Sequence, residues 1–457
     1  MNKTDLNQKL FGTDGIRGKA NLEPMTSQTV QRIGKAVARN LKNKNSSNNF
    51  KILIGKDTRL SNYMLETAIT SGILSEGVDV LLVGPVPTPA VAHLTKSFAC
   101  AKGIMLTASH NHAFDNGIKI FDESGFKISS EEEEKIEELV CSAELNSTEI
   151  KNELIGKAKR IDDARGRYIE FCKSTIDNTS LKGLKIIVDC ANGATYKIAP
   201  TIFEELGAEV IVLGNEPNGL NINSECGALN PEKIREKTTE LKADCGFAFD
   251  GDGDRVMFVD EKGEITDGDF ILAILAEFMQ EKNKLKKNTV VSTSMSNKGF
   301  HEFIESKNLS LILTDVGDKY VIEEMKTNGF SLGGEQSGHI IFSKYSTTGD
   351  GIITALQVLK TMKKKGKKLS ELKKIMQKFP QVLINVKVKE KKDFGGMEKV
   401  QKKAKEIELK LGNQGRLLLR YSGTENLARV MIEGKNEKEI KKMAEELAEE
   451  IRKEIGK

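Results

Sequence analysis

The sequence predicts an α/β protein of several domains, and three observations support this: chain length, alternating periodicity and the positions of turn residues. With 457 residues, the chain can bury several separate cores at roughly 150 residues per domain. Short β-branched runs alternate with amphipathic helical patterns along most of its length, which is typical of βαβ units and mainly parallel sheets. Turn residues close many of these runs, at the strand ends where α/β folds place their chemistry.

The predicted strands are short apolar or β-branched segments that end in glycine or polar residues. Before the last quarter of the chain they cover 51–55, 78–84, 185–189, 209–214 and 289–294. A helix is predicted to begin at Ser129 or Ser130, because either serine can cap it and the acidic residues that follow favour the helix dipole. Strands at 382–388, 416–420 and 427–433 and a helix at 437–455 then predict a small α+β domain.

Three polar or glycine-rich segments divide the sequence into four predicted domains. They are the polar stretch 146–158, the glycine and aspartate cluster before 258, and the segment 366–380 after a lysine-rich helix. The predicted domains are an α/β domain at 1–150, a second at 151–257, a third at 258–370 and the α+β domain at 371–457. The sequence itself shows no internal repeat.

Composition argues against a nucleic-acid partner and against a membrane protein. The 70 lysine and arginine residues nearly balance the 66 acidic ones and leave a net charge of +4, which is small for a nucleic-acid binder of this size. The chain has no tryptophan, so a base-stacking surface is not favoured. No apolar stretch suits a signal peptide or a membrane span, and the cysteines form no CxxC pair or zinc spacing. We therefore expect a cytoplasmic protein with reduced thiols.

The first candidate for chemistry is the segment 103–112, where an apolar strand runs into Thr107-Ala-Ser-His-Asn-His112. Ser109 stands at a predicted strand end beside two histidines, a position that suits a nucleophile or a phosphate carrier. A turn whose hydroxyl and imidazoles satisfy their own hydrogen bonds fits this segment equally well. A serine hydrolase is less favoured, because the G-x-S-x-G elbow is missing.

The second candidate is Asp250-Gly-Asp-Gly-Asp-Arg255, which lies between two apolar segments. Three carboxylates at alternate positions, separated by glycines that let the backbone curl, can point oxygens at one hard cation such as Mg²⁺. The aspartates and Glu261 also have the spacing of an EF-hand loop. Arg255 stands where that loop needs glycine, and the flanking segments are predicted strands rather than helices, so a calcium-binding hand is not favoured.

The third candidate is Leu419-Arg-Tyr-Ser-Gly-Thr-Glu425, which Arg429 follows closely. Backbone amides at a tight turn and guanidinium groups both suit phosphate oxygens. A β-turn that carries surface arginines explains the same residues. No Walker A or G-x-G-x-x-G pattern occurs in the sequence, so ATP and dinucleotide sites have no support.

The fourth candidate is Ser331-Leu-Gly-Gly-Glu-Gln-Ser-Gly-His339. Glu335 and Ser337 stand two residues apart, so in an extended loop both side chains face the same side and can hold adjacent hydroxyls of a sugar. An irregular glycine loop beside a helix cap is the alternative for this segment.

These four segments, in this order and at these separations, resemble the four active-site loops of the α-D-phosphohexomutase superfamily. The resemblance includes Phe11-Gly-Thr-Asp-Gly-Ile-Arg-Gly18 and covers essentially the whole chain. It implies three similar mixed α/β domains and a smaller α+β C-terminal domain around a central cleft. It also implies a mutase that isomerises sugar phosphates through a phosphorylated serine.

The resemblance implies a role for each matching position. The residues implied in catalysis are Ser109, as the phosphoserine, His110, Lys119 and Arg17. The ligands implied for one Mg²⁺ per chain are Ser109, Asp250, Asp252 and Asp254. The substrate contacts implied are Arg255, Glu335, Ser337, His339, Arg420, Ser422, Gly423, Thr424 and Arg429. Within the last set, the residues from 420 onward match the loop that holds the non-reacting phosphate.

The loop 334–339, with Gln336 at its centre, resembles that of the members that act on hexosamine phosphates. The implied reaction interconverts glucosamine 6-phosphate and glucosamine 1-phosphate through a sugar 1,6-bisphosphate, and its product supplies amino-sugar nucleotide synthesis. A mutase directed at glucose or mannose phosphates is the alternative. A metal-dependent phosphatase would instead release inorganic phosphate, and a non-catalytic sensor would leave Ser109 unmodified. The oligomeric state stays open, with a homodimer as the working hypothesis.

Overall fold

Three mixed sheets carry the first three quarters of the chain, and a three-stranded antiparallel sheet follows them. The computed structural model describes residues 9–44, 50–146, 150–422 and 426–457. They group into two units, one of Met1–Met295 with Leu309–Lys374 and one of Ser296–Asn308 with Ile375–Lys457. Within the described ranges, no helix combines the length and apolar character needed to cross a bilayer.

The first sheet has seven strands in the order β1-β2-β6-β5-β3-β4-β7. Its strands are β1 (Phe11–Gly12), β2 (Gly15–Lys19), β3 (Lys51–Lys56), β4 (Asp79–Pro85), β5 (Lys102–Leu106), β6 (Asp115–Asp122) and β7 (Ala158–Arg160). The helices in this part of the chain are α1 (Ser27–Lys44), α2 (Asn62–Leu74), α3 (Thr88–Ser97) and α4 (Ser130–Cys141). Ser129 accepts a hydrogen bond from the Glu132 amide, which confirms the predicted start of α4.

Helices α1 and α2 pack closely because glycine lies at their contact. A Cβ atom on Gly72 would come within 2.1 Å of the Gln31 carbonyl oxygen, so no larger residue fits there. Apolar side chains of α1, among them Val30, Ile33 and Val37, are fully buried in the same core as the strands. This core supports β5, whose end leads into the segment that contains Ser109.

The second and third sheets are smaller. The second, in the order β12-β11-β10-β8-β9, contains β8 (Lys185–Asp189), β9 (Glu209–Leu213), β10 (Cys245–Phe249), β11 (Val256–Asp260) and β12 (Ile265–Thr266). The third, in the order β14-β13-β15-β16, contains β13 (Thr289–Thr293), β14 (Ser310–Thr314), β15 (Leu332–Gly334) and β16 (Ile340–Phe342). The helices of these two regions are α5 (Ala164–Ser174), α6 (Ile198–Glu205), α7 (Glu232–Glu240), α8 (Gly268–Glu281), α9 (Lys298–Ser306), α10 (Asp318–Asn328), α11 (Gly351–Lys365) and α12 (Leu369–Leu372).

The C-terminal part forms its own α+β sheet, as the sequence predicts. Its elements are β17 (Gln381–Lys387), α13 (Glu398–Leu411), β18 (Gly415–Tyr421), β19 (Leu427–Gly434) and α14 (Glu437–Ile455). β19 pairs with both β17 and β18 in antiparallel fashion. Apolar residues of α13 and α14, including Ile407, Leu447 and Ile451, are buried against this sheet.

The first three sheets share one plan, which the family resemblance implies although the sequence itself shows no repeat. Each has parallel strands at its centre and an antiparallel strand that returns beside one of them: β6 beside β5, β11 beside β10, and β16 beside β15. The prediction of mainly parallel sheets therefore needs correction to mixed sheets, because these returns are hairpins. The three hairpin turns contain Ser109, the three aspartates and Glu335, respectively.

The domain divisions after residues 150, 257 and 370 stay predictions. The division after 257 falls inside strand β11. The glycine and aspartate cluster that suggested it is the turn of a hairpin, because β10 and β11 pair along their whole length.

Candidate active site

Ser109 lies just beyond the end of β5, buried, with its backbone in the left-handed region at φ 52°. This conformation costs a non-glycine residue about 1 kcal/mol or more, so the surrounding contacts must hold it. The Ser109 amide donates to Thr107 Oγ1 at 2.8 Å, and Ser109 Oγ donates to Asp250 Oδ2 at 2.7 Å. The hydroxyl is therefore directed at the aspartate segment of a different sheet, rather than being satisfied within its own turn.

The three aspartates of 250–254 are buried together between β10 and β11. Each offers an oxygen that lies within 4.8 Å of the others. Oδ1 of Asp252 and Oδ1 of Asp254 are buried without a hydrogen-bond partner among the described residues, an arrangement that costs free energy unless a cation is bound. A cluster of hard oxygen donors suits Mg²⁺, so these residues fit a divalent cation. The two flanking strands exclude the helix–loop–helix of an EF-hand.

The crowding of carboxylates has a direct electrostatic effect. Burial, and next the negative charges of Asp254 and Asp252, raise the pKa of Asp250 well above its usual value. A bound cation would reverse this effect, because it favours the charged carboxylates. The cluster therefore requires compensating positive charge.

Lys119, on β6, supplies part of that charge. Its Nζ lies 3.0 Å from Oδ2 of Asp252 and 3.0 Å from Oδ2 of Asp254. Burial alone would lower the pKa of Lys119, but Asp14 and the two aspartates outweigh it and raise the pKa well above its usual value. An ammonium that stays charged stabilises negative oxygens and cannot serve as a base near neutral pH.

Asp14 connects the first loop of the chain to this cluster. It pairs with Arg17 at 2.5 Å, with Lys119 at 3.3 Å and with Lys127. Burial would raise the pKa of Asp14, but these three cations hold it well below its usual range. Arg17 Nη1 also donates to the Ala108 carbonyl at 3.2 Å, next to Ser109. The structure thus brings Arg17, a predicted catalytic residue, to the serine loop. The sequence analysis did not single out Asp14 or Lys127, which complete this group of charges.

His339 lies at the end of the β15–β16 turn, buried beside the aspartates. Its Nδ1 is 3.7 Å from Asp254 Oδ1, and its Nε2 accepts a hydrogen bond from the Gly349 amide at 3.0 Å. Because Nε2 accepts, the ring proton is on Nδ1, on the side of Asp254. Arg255 also lies close to this carboxylate, with its Nε atom 3.9 Å from Asp254 Oδ1.

Glu335 and Ser337 face the same side of their loop, as their spacing predicts. Ser337 Oγ donates to Glu335 Oε2 at 3.3 Å, and the Gly317 amide donates to Glu335 Oε1 at 3.1 Å. Burial alone would lower the pKa of Arg255, but the charges of Asp254 and Asp250, and after them that of Glu335, outweigh it and raise the pKa above its usual value. The charge of Glu335, in the loop between β15 and β16, therefore acts on Arg255, at the end of the aspartate turn.

His110 is the titratable neighbour of the serine. Its Nδ1 lies 3.3 Å from Ser109 Oγ. Burial, followed by the charges of Arg255 and Arg17, lowers the pKa of His110 to about 4. The imidazole is therefore neutral at neutral pH and can accept a proton.

The second unit contains a separate group of cations at the β18–β19 turn. Arg420 stands directly opposite Arg429 across the two strands, and burial and the charge of Arg429 lower the pKa of Arg420. Arg429 Nη2 donates to Ser422 Oγ at 3.4 Å, and neither arginine has a carboxylate partner within the described ranges. Two adjacent guanidinium groups without acids suit an anion. Gly423 and Thr424, which belong to the same predicted set, lie outside the described residues.

Sequence reasoning missed three residues that hold these loops. Thr88 Oγ1 donates to Asp252 Oδ2 at 2.6 Å, and Asn223 Nδ2 donates to the Ser109 carbonyl at 2.9 Å. Arg59 is fully buried and donates to the same carbonyl at 3.0 Å. Arg59 had a detectable signal, since it belongs to the run of four polar residues, 56–59, directly after the predicted strand at 51–55. Thr88 and Asn223 had none, because their contacts depend on the folded arrangement.

Family models match almost the whole chain. The domains of the phosphoglucomutase/phosphomannomutase family match in order: alpha/beta/alpha domain I at 8–147, domain II at 166–263, domain III at 267–379 and the C-terminal domain at 383–450. The chain is 52% identical over 450 residues to phosphoglucosamine mutase of Geobacter metallireducens, covering 98% of this chain and 99% of that one. It is 51% identical over 449 residues to phosphoglucosamine mutase of Syntrophus aciditrophicus, covering 98% and 100%.

Solved structures share the fold at lower identity. A phosphoglucomutase/phosphomannomutase family protein from Burkholderia thailandensis superposes with a TM-score of 0.81 at 22% identity, covering 97% of each chain. Aspergillus fumigatus N-acetylphosphoglucosamine mutase, in complex with GlcNAc-6P and magnesium, gives a TM-score of 0.65 at 19% identity, covering 97% of this chain and 95% of that one.

These comparisons confirm the resemblance inferred from the four motifs and the expected build of three α/β domains and a smaller fourth. The identity extends over the full length rather than over single motifs. The protein is an isomerase of the phosphohexomutase type and belongs to the phosphoglucomutase/phosphomannomutase family.

Proposed function

We propose that the protein interconverts glucosamine 6-phosphate and glucosamine 1-phosphate, with phosphorylated Ser109 as the carrier. The observation that carries this proposal is the 2.7 Å hydrogen bond from Ser109 Oγ to Asp250, inside a buried cluster of carboxylates and cations. The names of relatives about half identical to this chain support the choice of sugar. The product would serve the synthesis of amino-sugar nucleotides such as UDP-N-acetylglucosamine.

One Mg²⁺ per chain is the proposed metal, held by Asp250, Asp252, Asp254 and an oxygen on Ser109. The unpartnered oxygens of Asp252 and Asp254 support this assignment, as does the magnesium in the related Aspergillus enzyme. When bound, the ion would neutralise carboxylate charge and polarise the phosphoryl group.

In the first half of the proposed reaction, O1 of glucosamine 6-phosphate attacks the phosphorus atom on Ser109. The bond from phosphorus to O1 forms while the bond to Ser109 Oγ breaks, which gives the 1,6-bisphosphate. The sugar then turns, and Oγ takes the phosphoryl group from O6, which leaves glucosamine 1-phosphate. Catalysis is mainly positioning and electrostatic stabilisation.

The cluster provides candidates for charge and proton transfer. Lys119 stays charged, and together with Arg17 it stabilises the phosphoryl oxygens. Neutral His110, beside Ser109 Oγ, takes the proton from O1 in the first half and passes it to the departing Oγ; in the second half it takes the proton from Oγ and passes it to O6. This assignment rests on the 3.3 Å distance from His110 Nδ1 to Ser109 Oγ, while the raised pKa of Lys119 keeps that group charged.

Two further loops are proposed to bind the sugar phosphate. Glu335, Ser337 and His339 would contact the sugar hydroxyls, and Arg255 the reacting phosphate. The loop proposed for the non-reacting phosphate comprises Arg420, Ser422, Gly423, Thr424 and Arg429. The paired guanidinium groups of that loop, without carboxylate partners in the described ranges, support anion binding.

Ser109→Ala tests the proposal, with Ser75→Ala as the matched control because Ser75 only caps the end of α2. A coupled assay would supply glucosamine, glucose and mannose 6-phosphates with Mg²⁺ and a trace of glucose 1,6-bisphosphate. We expect S109A to lose at least about a thousandfold in activity and to lack the phosphoryl mass that wild type carries. An S109A variant with most of its activity would sink the scheme.

The same assay separates the alternatives. Faster turnover of glucose or mannose 6-phosphate would identify a phosphoglucomutase or phosphomannomutase. Release of inorganic phosphate in step with substrate loss would indicate a phosphatase. Binding without turnover, and without phosphate on Ser109, would indicate a sensor.

A homodimer is the proposed assembly. Three apolar side chains are each more than half exposed: those of Leu60, Tyr63 and Leu220. The Leu60 amide donates a hydrogen bond to the Gly219 carbonyl, which brings Leu60 and Leu220 together. Grouped exposed apolar side chains favour a protein partner. Comparing the sedimentation of wild type with that of Tyr63→Asp would test the homodimer, and a wild-type monomer at micromolar concentration would contradict it.

A further inference from the structure

Arg59 is a fully buried arginine directly after β3, outside every motif discussed above. Its Nε donates to Asp57 Oδ2 at 2.8 Å, and both side chains are completely buried. Its Nη1 and Nη2 atoms donate to four backbone carbonyls, those of Ser109, Asn111, His112 and Asp115. A guanidinium has five N–H donors, and here each one has an acceptor.

The four carbonyls belong to one short segment that begins at the proposed phosphoserine. The segment 109–115 therefore wraps around a single planar cation. Because the guanidinium group is planar and rigid, the carbonyl oxygens that accept its hydrogen bonds are fixed relative to one another. A lysine, with three donors on a flexible stem, cannot reproduce this arrangement.

Asp57 and Asn223 complete the arrangement from two sides. Asp57 Oδ2 accepts from Thr107 Oγ1 at 2.6 Å, and Thr107 Oγ1 in turn accepts from the Ser109 amide. Asn223 Nδ2 donates to the carbonyls of Ser109 and Asn111, at 2.9 and 3.0 Å. The left-handed conformation of Ser109 is thus held through both its amide and its carbonyl.

The direction of these carbonyls has a consequence for the amides that follow them. In a planar trans peptide the N–H points opposite to the C=O. Because the Ser109 carbonyl points to Arg59, the His110 amide points away from the guanidinium. Among the described residues, that amide donates to no protein acceptor. It is therefore available to an oxygen of a group carried on the adjacent Ser109.

We propose that Arg59 is the positioning residue of the phosphoryl carrier: it holds segment 109–115 so that Ser109 Oγ faces the aspartate cluster and the His110 amide stays free of protein acceptors among the described residues. This inference rests on the proposed function, because it assigns Arg59 a role in presenting Ser109. Arg59 itself does not touch the reacting atoms. Its effect should therefore fall on kcat, with little change in KM.

Arg32 offers a matched control elsewhere in the same unit. Its guanidinium donates to the carbonyls of Val140 and Ser142, at the end of α4. Arg32→Lys therefore removes the same kind of contact between arginine and carbonyl without touching the serine loop. Asn223→Gly provides a second test, because glycine tolerates the positive φ of Asn223 and removes only its side-chain hydrogen bonds.

The experiment compares the full-length wild type with Arg59→Lys, Asn223→Gly and Arg32→Lys. Steady-state assays give kcat and KM for glucosamine 6-phosphate, and mass spectrometry gives the hydrogen-exchange rates of peptides covering 107–116. We expect kcat to fall at least about a hundredfold in R59K and about tenfold in N223G, with KM changed by less than about threefold. Exchange in 107–116 should become faster in both. R32K should keep the kcat and the exchange of wild type.

Values of kcat near wild type in both R59K and N223G would overturn the proposal. If R59K does not fold, N223G decides, because it leaves the buried ion pair in place. If wild type isomerises no sugar phosphate, the proposed function fails, but the hydrogen-exchange rates still test the positioning role of Arg59. In that case faster exchange confined to 107–116 supports the positioning role, and unchanged exchange refutes it.

Discussion

The side-chain nitrogen of Lys119 lies 3.0 Å from Oδ2 of Asp254, and both groups are buried. The other oxygen of Asp254 has no hydrogen-bond partner within the described ranges. The lysine therefore takes one oxygen of the carboxylate, and the other, which lies 3.7 Å from His339 Nδ1 and 3.9 Å from Arg255 Nε, is the one proposed to reach a cation. Two positive charges on the same carboxylate repel each other, so the lysine and the metal should weaken each other's binding.

We predict that Lys119→Met binds Mg²⁺ more tightly and turns over more slowly. Loss of the ammonium removes repulsion on the metal, and an increase in affinity of about tenfold is expected. The same change removes a charge that stabilises the transferring phosphoryl group, so kcat should fall by about a hundredfold or more. Calorimetric titration with MgCl₂ and the coupled mutase assay measure the two effects.

Lys102→Met is the control for this prediction. Lys102 is also buried on the first sheet and pairs with Glu132 at 2.8 Å, at the opposite end of β5 from the serine loop. Its loss should lower the free energy of unfolding without changing Mg²⁺ affinity. Weaker Mg²⁺ binding by K119M would contradict the shared-carboxylate account.

Gly349→Ala should displace His339 while the fold remains intact. A Cβ atom at position 349 would lie 2.5 Å from two atoms of the His339 ring, so the ring must leave its present position beside Asp254. If His339 contacts the sugar as proposed, kcat should fall by about ten- to a hundredfold. The measurement is the mutase assay, combined with thermal unfolding to show that the variant is folded.

Gly166→Ala gives the matched substitution at a harmless position. Gly166 lies in α5 with no atom near its added Cβ, so alanine should stabilise the helix by about 0.5–1 kcal/mol. Activity should stay at the wild-type level. Wild-type activity in G349A would mean that the position of the His339 ring does not matter for turnover.

Local features of the fold could be predicted from the sequence, because they depend on neighbours in the chain. The closing helix was predicted at 437–455, and α14 has these same bounds. The strand at 185–189 agrees equally well with β8. Strand direction was less predictable, because pairing is a long-range property. The antiparallel returns of β6, β11 and β16 were therefore missed.

In the candidate site, too, local features could be predicted from the sequence and long-range contacts could not. Ser109 and the aspartates stand out because glycines and polar residues interrupt apolar strands at those points. Asp14, Lys127 and Asp318 are far apart in sequence, yet Lys127 joins the other two. The partner of a buried ion cannot be read from spacing along the chain. For the same reason Arg59 gave only a weak signal, although the structure shows it fully surrounded by acceptors.

Arg420→Gln should weaken binding of the sugar phosphate and should not weaken the fold. Arg420 faces Arg429 across β18 and β19, and burial, followed by the charge of Arg429, lowers the pKa of Arg420. Removing one cation relieves this repulsion, so the protein without ligand should unfold at the same temperature or higher. The loss of a charge-assisted hydrogen bond should raise KM by about ten- to a hundredfold.

The control for Arg420 is Arg452→Gln, on the exposed face of α14 where Arg452 pairs with Glu449. It should leave KM unchanged, since exposed pairs contribute little. An R420Q variant with lower stability and normal KM would show that Arg420 serves the fold rather than the phosphate.

His93→Phe should make the folded state less sensitive to acid. His93 stacks on Phe171, with ring centroids 3.9 Å apart, and burial followed by the charge of Lys96 lowers its pKa from 6.5 to about 4. Between these two values the unfolded chain binds a proton at His93 that the folded chain does not. The stability from the neutral ring is therefore full above pH 6.5 and is lost as the pH falls toward 4. Phenylalanine keeps the stack and removes the proton site.

Urea unfolding at about pH 7 and about pH 4.5 measures this effect as a difference between two proteins. The free energy of unfolding should fall less between the two pH values in H93F than in wild type. His301, whose pKa burial also lowers to about 4, is present in both proteins, so its contribution cancels in the comparison. Parallel losses would mean that His93 binds its proton equally in the folded and unfolded chains, and would contradict the prediction.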